Sequence, residues 1–265
     1  MIVGYYQFKP EFGNIKENLD KIENKLSGYK FDIVVLPELC TTGYQFVSSE
    51  ELRGYAGEIP GGYASERFVK MAKEFNAHII AGIPELSDGL LYNSSILAGP
   101  GGILDVYKKT HLFFEETLIF EKGPIPPRVT DINGVKIGII ICYDWLFSEN
   151  FRILSLSGAD IIAQPANLVL PYCQLVMRAR SIENRIFTIT ANRIGTEQRG
   201  GKPALEFTGQ SQVTDVNGDI LINSADNDED FRTVEIDPKN ARNKKLTEYN
   251  NILEDRRTDL YRDIL

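Results

Sequence analysis

The feature that most constrains the fold of this chain is the alternation of short apolar runs with segments of helical periodicity. Apolar runs such as "FDIVVL", "AHIIAGI" and "VKIGIII" are typical of buried strands. Helices are predicted over residues 15–26, 63–76, 147–158 and 172–184. Two hairpins are also predicted, with "PGG" and "NG" as their turns. Because a purely parallel sheet contains no hairpins, the pattern predicts an α/β protein with mixed strands covered by helices.

Length and charge narrow the class of protein further. The chain has 265 residues without a recognisable linker or internal repeat, so a single domain over residues 1–265 is expected. A net charge of −8 without a cluster of Lys or Arg argues against a nucleic-acid partner. No apolar run approaches the roughly 18 residues of a membrane span, and "MIVGYYQFKP" is interpreted as a first strand rather than a signal peptide. The three cysteines are too few for a disulfide framework, so we expect a cytoplasmic protein.

The stretch "IIICYDW" places Cys142 where an apolar run stops. A strand followed by a cysteine and then by a helix near Phe147 would form an elbow that holds a nucleophile above the edge of a sheet. The helix N-terminus would also favour the thiolate form of the cysteine. The alternative is that Cys142 is a small apolar core residue, and the cysteine alone does not decide between the two.

A nucleophilic thiol needs a base, and carboxylates are better placed than histidines in this sequence. The two histidines, His78 and His111, both precede Cys142, which argues against a site of the glutamine amidotransferase kind. Glu38 follows the run "FDIVVL" and Lys109 ends another β run, so reactive groups stand at three strand ends, where sites of α/β sheets gather. Glu38 also fits the first turn of a helix, and Lys109 also fits a solvated surface position.

Together with their neighbours, these residues resemble a known family. The motifs "LPEL", "KKTHLF" and "CYDW", followed by "GADIIAQPANL" and "RSIENRIFTITANRIG", are similar to those of the nitrilase superfamily of carbon–nitrogen hydrolases. The resemblance extends over nearly the whole chain and implies a catalytic triad of Glu38, Lys109 and Cys142. It implies a second glutamate at Glu116, with Glu115 as the alternative. The fold it implies is a four-layer αββα sandwich of two mixed sheets flanked by helices.

The resemblance also implies a mechanism. Glu38 would act as general base toward Cys142, whose sulfur would attack a small linear substrate and form a thioester. Lys109 and the backbone N–H of Tyr143 would stabilise the developing negative charge.

The substrate pocket is expected to be lined by Tyr143, Trp145 and Asn167. For Trp145, a place in the core is the alternative interpretation. We expect no metal and no other cofactor, because the sequence lacks both a His/Cys cluster with ligand spacing and a Gly-rich phosphate-binding loop.

The identity of the substrate stays open at this point. An amidase that releases ammonia from small linear amides is the leading hypothesis. A true nitrilase and an N-carbamoyl-amine hydrolase would use the same triad. A redox-sensing or binding protein that has the fold but no turnover is a more distant alternative.

The C-terminal tail, residues 238–265, is expected to dock on a partner subunit. A short helix is predicted around residues 238–246. The apolar side chains of the tail are too few for a core of their own and too many for a free solvated segment: Ile252, Leu253, Leu260, Tyr261, Ile264 and Leu265. The resemblance implies a homodimer or a larger even-numbered homo-oligomer, and a partly disordered tail is the alternative.

Overall fold

The computed structural model describes residues 1–261 of the chain. The strands in this range are β1 (Ile2–Gln7), β2 (Ile33–Val35), β3 (His78–Ser87), β4 (Leu90–Gly99), β5 (Gly102–Lys108), β6 (Val129–Ile132), β7 (Val135–Ile139), β8 (Ile161–Pro165), β9 (Phe187–Ala191), β10 (Ile194–Glu197), β11 (Leu205–Thr208), β12 (Gln212–Thr214), β13 (Ile220–Asn223) and β14 (Asp230–Glu235). The α-helices are α1 (Ile15–Leu26), α2 (Ser49–Arg53), α3 (Tyr63–Phe75), α4 (Ser148–Leu156) and α5 (Cys173–Asn184). None of the helices in residues 1–261 is long and apolar enough to cross a membrane.

Twelve of these strands build two six-stranded sheets. Their orders are β14-β1-β2-β3-β4-β5 and β13-β12-β9-β8-β7-β6, and β10 and β11 form a separate hairpin. The central strands β1-β2-β3 and β7-β8-β9 run parallel, whereas the outer strands pair antiparallel. The predicted hairpins are confirmed as β4-β5 and β12-β13. Both sheets are therefore mixed, as expected.

The two sheets face each other, and the helices cover their outer faces. Along β2, Ile33 and Val35 belong to the core between the sheets, whereas Val34 belongs to the cluster with α1 and α3. This alternation is the period of two that a strand buried on both faces imposes. Phe151 of α4 and Met177 of α5 pack against the second sheet. The predicted four-layer αββα sandwich is confirmed.

Three predicted elements differ from the structure. The strand predicted for "IFTITANRI" breaks between β9 and β10, because the side chain of Asn192 there accepts from Leu168 N and donates to Gly209 O. The helix predicted near Phe147 begins at Ser148, and a separate 3-10 turn, Cys142–Leu146, precedes it. The helix predicted around residues 238–246 is only a 3-10 turn, Pro238–Arg242, after which Asn243 is extended.

The beginning of the tail lies on its own chain. Arg242 pairs with Asp160 at 3.0 Å, and Lys244 Nζ donates to the carbonyls of Asn184 and Arg185 at the end of α5. Further along, Leu246, Tyr249 and Leu260 are exposed. The last two apolar residues of the tail, Ile264 and Leu265, lie outside the described range.

Candidate active site

The predicted nucleophile lies on a sharp turn at the end of β7. Cys142 has φ of 43°, in the left-handed region that non-glycine residues avoid, so its side chain leaves the path of the strand. The turn is fixed from two sides. The carboxylate of Asp144 accepts from Ile141 N at 2.9 Å, and Gln164 Nε2 donates to the Cys142 carbonyl at 2.9 Å. The backbone of Asn167 lies close enough to the sulfur to lower the pKa of the thiol, against the larger effect of burial.

Lys109 is buried between two carboxylates. Its Nζ atom lies 2.6 Å from Oε1 of Glu38 and 2.8 Å from the carboxylate of Glu116, and the ammonium group is 0% exposed. The neighbouring Lys108 points elsewhere and pairs with Glu85 at 3.3 Å. An ammonium group has three donors. Two are used by the glutamates, so one remains for a ligand.

The two carboxylate oxygens of Glu38 differ in their hydrogen bonding. Its Oε1 also accepts from Asn93 Nδ2 at 2.7 Å. Its Oε2 is buried and has no hydrogen-bond partner among residues 1–261. The turn after it is tight: Leu39 has φ of 48°, and a Cβ atom at Gly82 would lie 2.5 Å from the Glu38 Cα. Only glycine therefore allows the Glu38 loop to approach β3 this closely.

The structure distinguishes the two candidate glutamates that precede the cysteine. Glu116 is buried, and besides Lys109 it accepts from Tyr44 OH at 2.7 Å and from Phe113 N at 2.9 Å. Glu115 turns outward and pairs with Lys202 at 2.7 Å. Glu116 is thus the residue that this arrangement brings to the site.

The charges in the site determine which groups are ionised. Burial, and then the charge of Glu38, raise the pKa of the Cys142 thiol well above its ordinary value. Burial would lower the pKa of Lys109, but the carboxylates of Glu116 and Glu38 raise it above its usual range. The resting site therefore holds a neutral thiol beside a permanent ammonium. Burial and the charge of Glu38 oppose the lowering of the thiol pKa expected from a helix N-terminus, and α4 itself begins at Ser148, beyond the turn that carries the sulfur.

A hydrogen-bond cluster around Asp144 joins the cysteine turn to the strand end that carries the lysine. Asp144 is fully buried, and its carboxylate accepts from Tyr107 OH at 2.8 Å and from Thr110 Oγ1 at 3.1 Å. The ring of His111 lies 2.8 Å from the same carboxylate through Nδ1 and stacks on Phe147. His111 is therefore part of this cluster, which fixes the spacing between the two strand ends.

A narrow pocket opens above the Cys142 sulfur. Its lining residues are Phe113, Cys142, Tyr143, Trp145, Asn167, Leu168, Val169 and Leu170. We call it the Cys142 pocket. The three residues predicted to line the pocket, Tyr143, Trp145 and Asn167, are all among them. Trp145 also belongs to the core between the sheets, so both interpretations of it apply.

Sequence reasoning missed three residues of this site: Asn93, Tyr44 and Asp144. Asn93 and Tyr44 donate to Glu38 and Glu116 from distant parts of the chain, and Asp144 fixes the cysteine turn by accepting from Ile141 N. The sequence contains a signal for each of these three residues, but each signal is weak. Asn93 is a lone amide in the buried strand β4, and Tyr44 and Asp144 stand inside the motif segments "LPELCTTGY" and "CYDW". In the described range, no group of three or more His, Cys, Asp or Glu is arranged to hold a metal ion.

Comparison with known proteins agrees with this geometry. The family model described as "Carbon-nitrogen hydrolase" matches residues 2–245. A protein named nitrilase from Pyrococcus abyssi is 38% identical over 262 residues, which cover 98% of this chain and 98% of that protein. A 2-oxoglutaramate amidase from Bacillus subtilis is 32% identical over 265 residues, covering 96% of this chain and 97% of the relative.

Solved structures give the same result. An amidase from Nesterenkonia sp. AN1, crystallised with acrylamide added to its active-site cysteine, superposes with a TM-score of 0.82 at 25% identity. The match covers 100% of both chains. Sequence motifs, fold and site geometry thus agree, and the chain belongs to the carbon–nitrogen hydrolase family, the nitrilase superfamily.

Proposed function

We propose that this protein is a thiol hydrolase that cleaves the carbon–nitrogen bond of small linear amides and releases ammonia. The observation that carries the proposal is the environment of Cys142. Its thiol lies in a pocket beside a buried ammonium, and the carboxylate that holds this ammonium has a second oxygen without a partner in residues 1–261. These groups are a nucleophile, an electrophilic stabiliser and a base.

In the first step, Oε2 of Glu38 accepts the thiol proton while the sulfur attacks the amide carbon. The raised pKa of Cys142 favours this coupled transfer over a thiolate that exists before the substrate arrives. The engaged Oε1 holds the carboxylate in place through Lys109 and Asn93. Glu38 is therefore proposed as the general base.

Negative charge then develops on the substrate oxygen. The third N–H of Lys109 is one donor to it. The backbone N–H of Tyr143 is the other, since it donates to no acceptor in the described chain. Glu116 and Tyr44 position the ammonium. A single positioned donor of this kind accounts for about 10²–10³-fold in kcat.

Collapse of the intermediate completes the cycle. The protonated Glu38 gives its proton to the leaving nitrogen, so ammonia departs and an acyl thioester remains on Cys142. Glu38 then takes a proton from water, whose oxygen attacks the thioester carbon. The carboxylic acid and the free thiol are the products, and no group besides water is consumed.

A nitrile is the second candidate substrate, because the relative from Pyrococcus abyssi is named a nitrilase. The same thiol would add to the nitrile carbon and give a thioimidate, which water converts to the thioester with loss of ammonia. The groups around Cys142 serve both substrates.

The proposed working form is a homodimer or a larger even-numbered oligomer in the cytoplasm. Apolar side chains are exposed on α4 and α5, among them Leu156, Leu175 and Ile182 at 50%, 69% and 51% exposure. Exposed apolar groups of the tail, Leu246 and Leu260, add to this surface area. Such patches are characteristic of protein–protein contact surfaces.

The experiment that tests the function is ammonia release from a panel of short aliphatic amides, the matching nitriles and N-carbamoyl amines. We expect turnover of amides, with nitriles slower. The Cys142→Ala variant, which lacks the proposed nucleophile, is the negative control for ammonia release. Release of ammonia from nitriles or carbamoyl compounds alone would reassign the substrate, and release from none of the three classes would contradict the proposal.

A further inference from the structure

The side chain of Asn167 is buried in the Cys142 pocket without a partner. It is 3% exposed, and neither Oδ1 nor Nδ2 makes a hydrogen bond to any group in residues 1–261. Leaving a buried amide without hydrogen-bond partners destabilises a protein. Cys142 lines the same pocket, so the Asn167 side chain stands near the reacting atom.

The backbone around Asn167 is rigidly held. Ala166 N donates to Ala191 O at 2.9 Å, and Leu168 N donates to the side chain of Asn192 at 2.9 Å. The Leu168 carbonyl accepts from Thr208 N at 2.9 Å. With the neighbours on both sides fixed, the Asn167 amide is presented to the pocket rather than free to turn to solvent.

The rest of the pocket wall is aromatic or aliphatic: Phe113, Tyr143, Trp145, Leu168, Val169 and Leu170. No Lys, Arg or His of the described chain is among the lining residues. The buried Arg193 is not a lining residue, and its guanidinium pairs with Glu197 at 2.9 Å. A carboxylate on the far end of a substrate would therefore lose its water without gaining a cation.

An Asn side chain offers a donor and an acceptor side by side. A neutral carboxamide offers the complementary pair, whereas a carboxylate offers acceptors only and would face Oδ1. An alkyl group would leave both atoms unpaired. The chemistry of the pocket thus distinguishes three kinds of substrate tail.

We propose that Asn167 binds the far end of the substrate and selects short diamides, in which a second neutral carboxamide stands one to three methylenes from the amide that is cleaved. This inference rests on the amidase function proposed above and adds the substrate class. It separates this protein from the relative named 2-oxoglutaramate amidase, because the substrate in that name carries a carboxylate.

The test compares kcat/KM for ammonia release within matched pairs. Malonamide, succinamide and glutaramide are paired with 3-methylbutanamide, 4-methylpentanamide and 5-methylhexanamide, in which an isopropyl group of the same shape replaces the second carboxamide. Succinamate supplies the carboxylate tail. We expect kcat/KM of at least one diamide to exceed that of its isopropyl partner by ~10-fold or more. A factor of about two is expected merely because a diamide has two equivalent amides. Succinamate should be the poorest substrate of its length.

Asn167→Leu is nearly isosteric and removes both polar atoms. It should reduce the diamide preference, measured against 4-methylpentanamide in the same variant, to about twofold. If this variant does not fold, as judged by its melting temperature, Asn167→Ala supplies the same comparison. Leu170→Ala, a change in the same wall, serves as the control and should keep the preference.

A wild type that favours the isopropyl partners, or an unchanged diamide preference in both Asn167 variants, would overturn the role of Asn167 while leaving the amidase function in place. Absence of ammonia from every amide would overturn the amidase function itself and this inference with it.

Discussion

The ammonium of Lys109 contacts only one oxygen of Glu38: Nζ lies 2.6 Å from Oε1, and Oε2 is buried with no partner in residues 1–261. The carboxylate is thus anchored on one side and free to accept a proton on the other. This division would allow one residue both to hold the ammonium and to serve as the proposed base.

The first prediction concerns this free oxygen. Glu38→Gln keeps the shape of the side chain but cannot carry a proton back and forth. We expect kcat/KM to fall by ~10²-fold or more at an unchanged melting temperature. Asn93→Ala, which removes only a neighbour of Oε1, should cost much less activity. Comparable losses in the two variants would contradict the assignment of Glu38 as the base.

The second prediction concerns the three thiols. Cys142 lines a pocket, whereas Cys40 and Cys173 are fully buried. Brief treatment with iodoacetamide should therefore label Cys142 first, and peptide mapping measures the order. In Glu38→Gln, labelling of Cys142 should slow because the base is absent. Earlier labelling of Cys173 would be inconsistent with this picture.

The third prediction is the pH dependence of activity. The raised pKa of Lys109 keeps the ammonium charged above the ordinary lysine value of about 10.4, and the raised pKa of Cys142 keeps the thiol neutral above about 8.5. We therefore expect kcat/KM to show no rise as the pH passes through the ordinary thiol value of about 8.5, since the thiol stays neutral there. A rise in kcat/KM with an apparent pKa near 8.5 would instead indicate that a preformed thiolate is required.

The members of the predicted triad could be chosen from the sequence because they stand in contiguous motifs at strand ends, and strand ends meet at one edge of a sheet. Asn93, Tyr44 and Asp144 could not be assigned in this way. Their roles depend on distances across the sheets, and a single polar residue in a strand or turn has several ordinary explanations. The raised pKa of Cys142 could not be predicted from the sequence either, because it depends on burial and on the charge of Glu38 beside the thiol.

The fourth prediction concerns the tail. Removal of residues from Asn250 onward should weaken the oligomer and lower the melting temperature, while the site residues remain in the chain. Light scattering on the full chain and on the truncated chain measures the mass. Leu175→Glu on α5 should also favour the monomer, and Leu104→Glu, a partly exposed apolar position on β5, is the matched control. A full chain that is monomeric at micromolar concentration would refute the assembly.

The fifth prediction concerns the central claim, that Cys142 carries the acyl group during turnover, and the most direct measurement is the mass of the acid-quenched enzyme. Protein quenched during turnover of a short amide should gain the mass of the acyl group less one hydrogen, on the peptide that contains Cys142. Neutral hydroxylamine should release this group as a hydroxamic acid, as expected of a thioester. Cys142→Ala should show no adduct and no turnover. Full turnover without adduct and without hydroxamate, or an adduct that persists in Cys142→Ala, would contradict the mechanism.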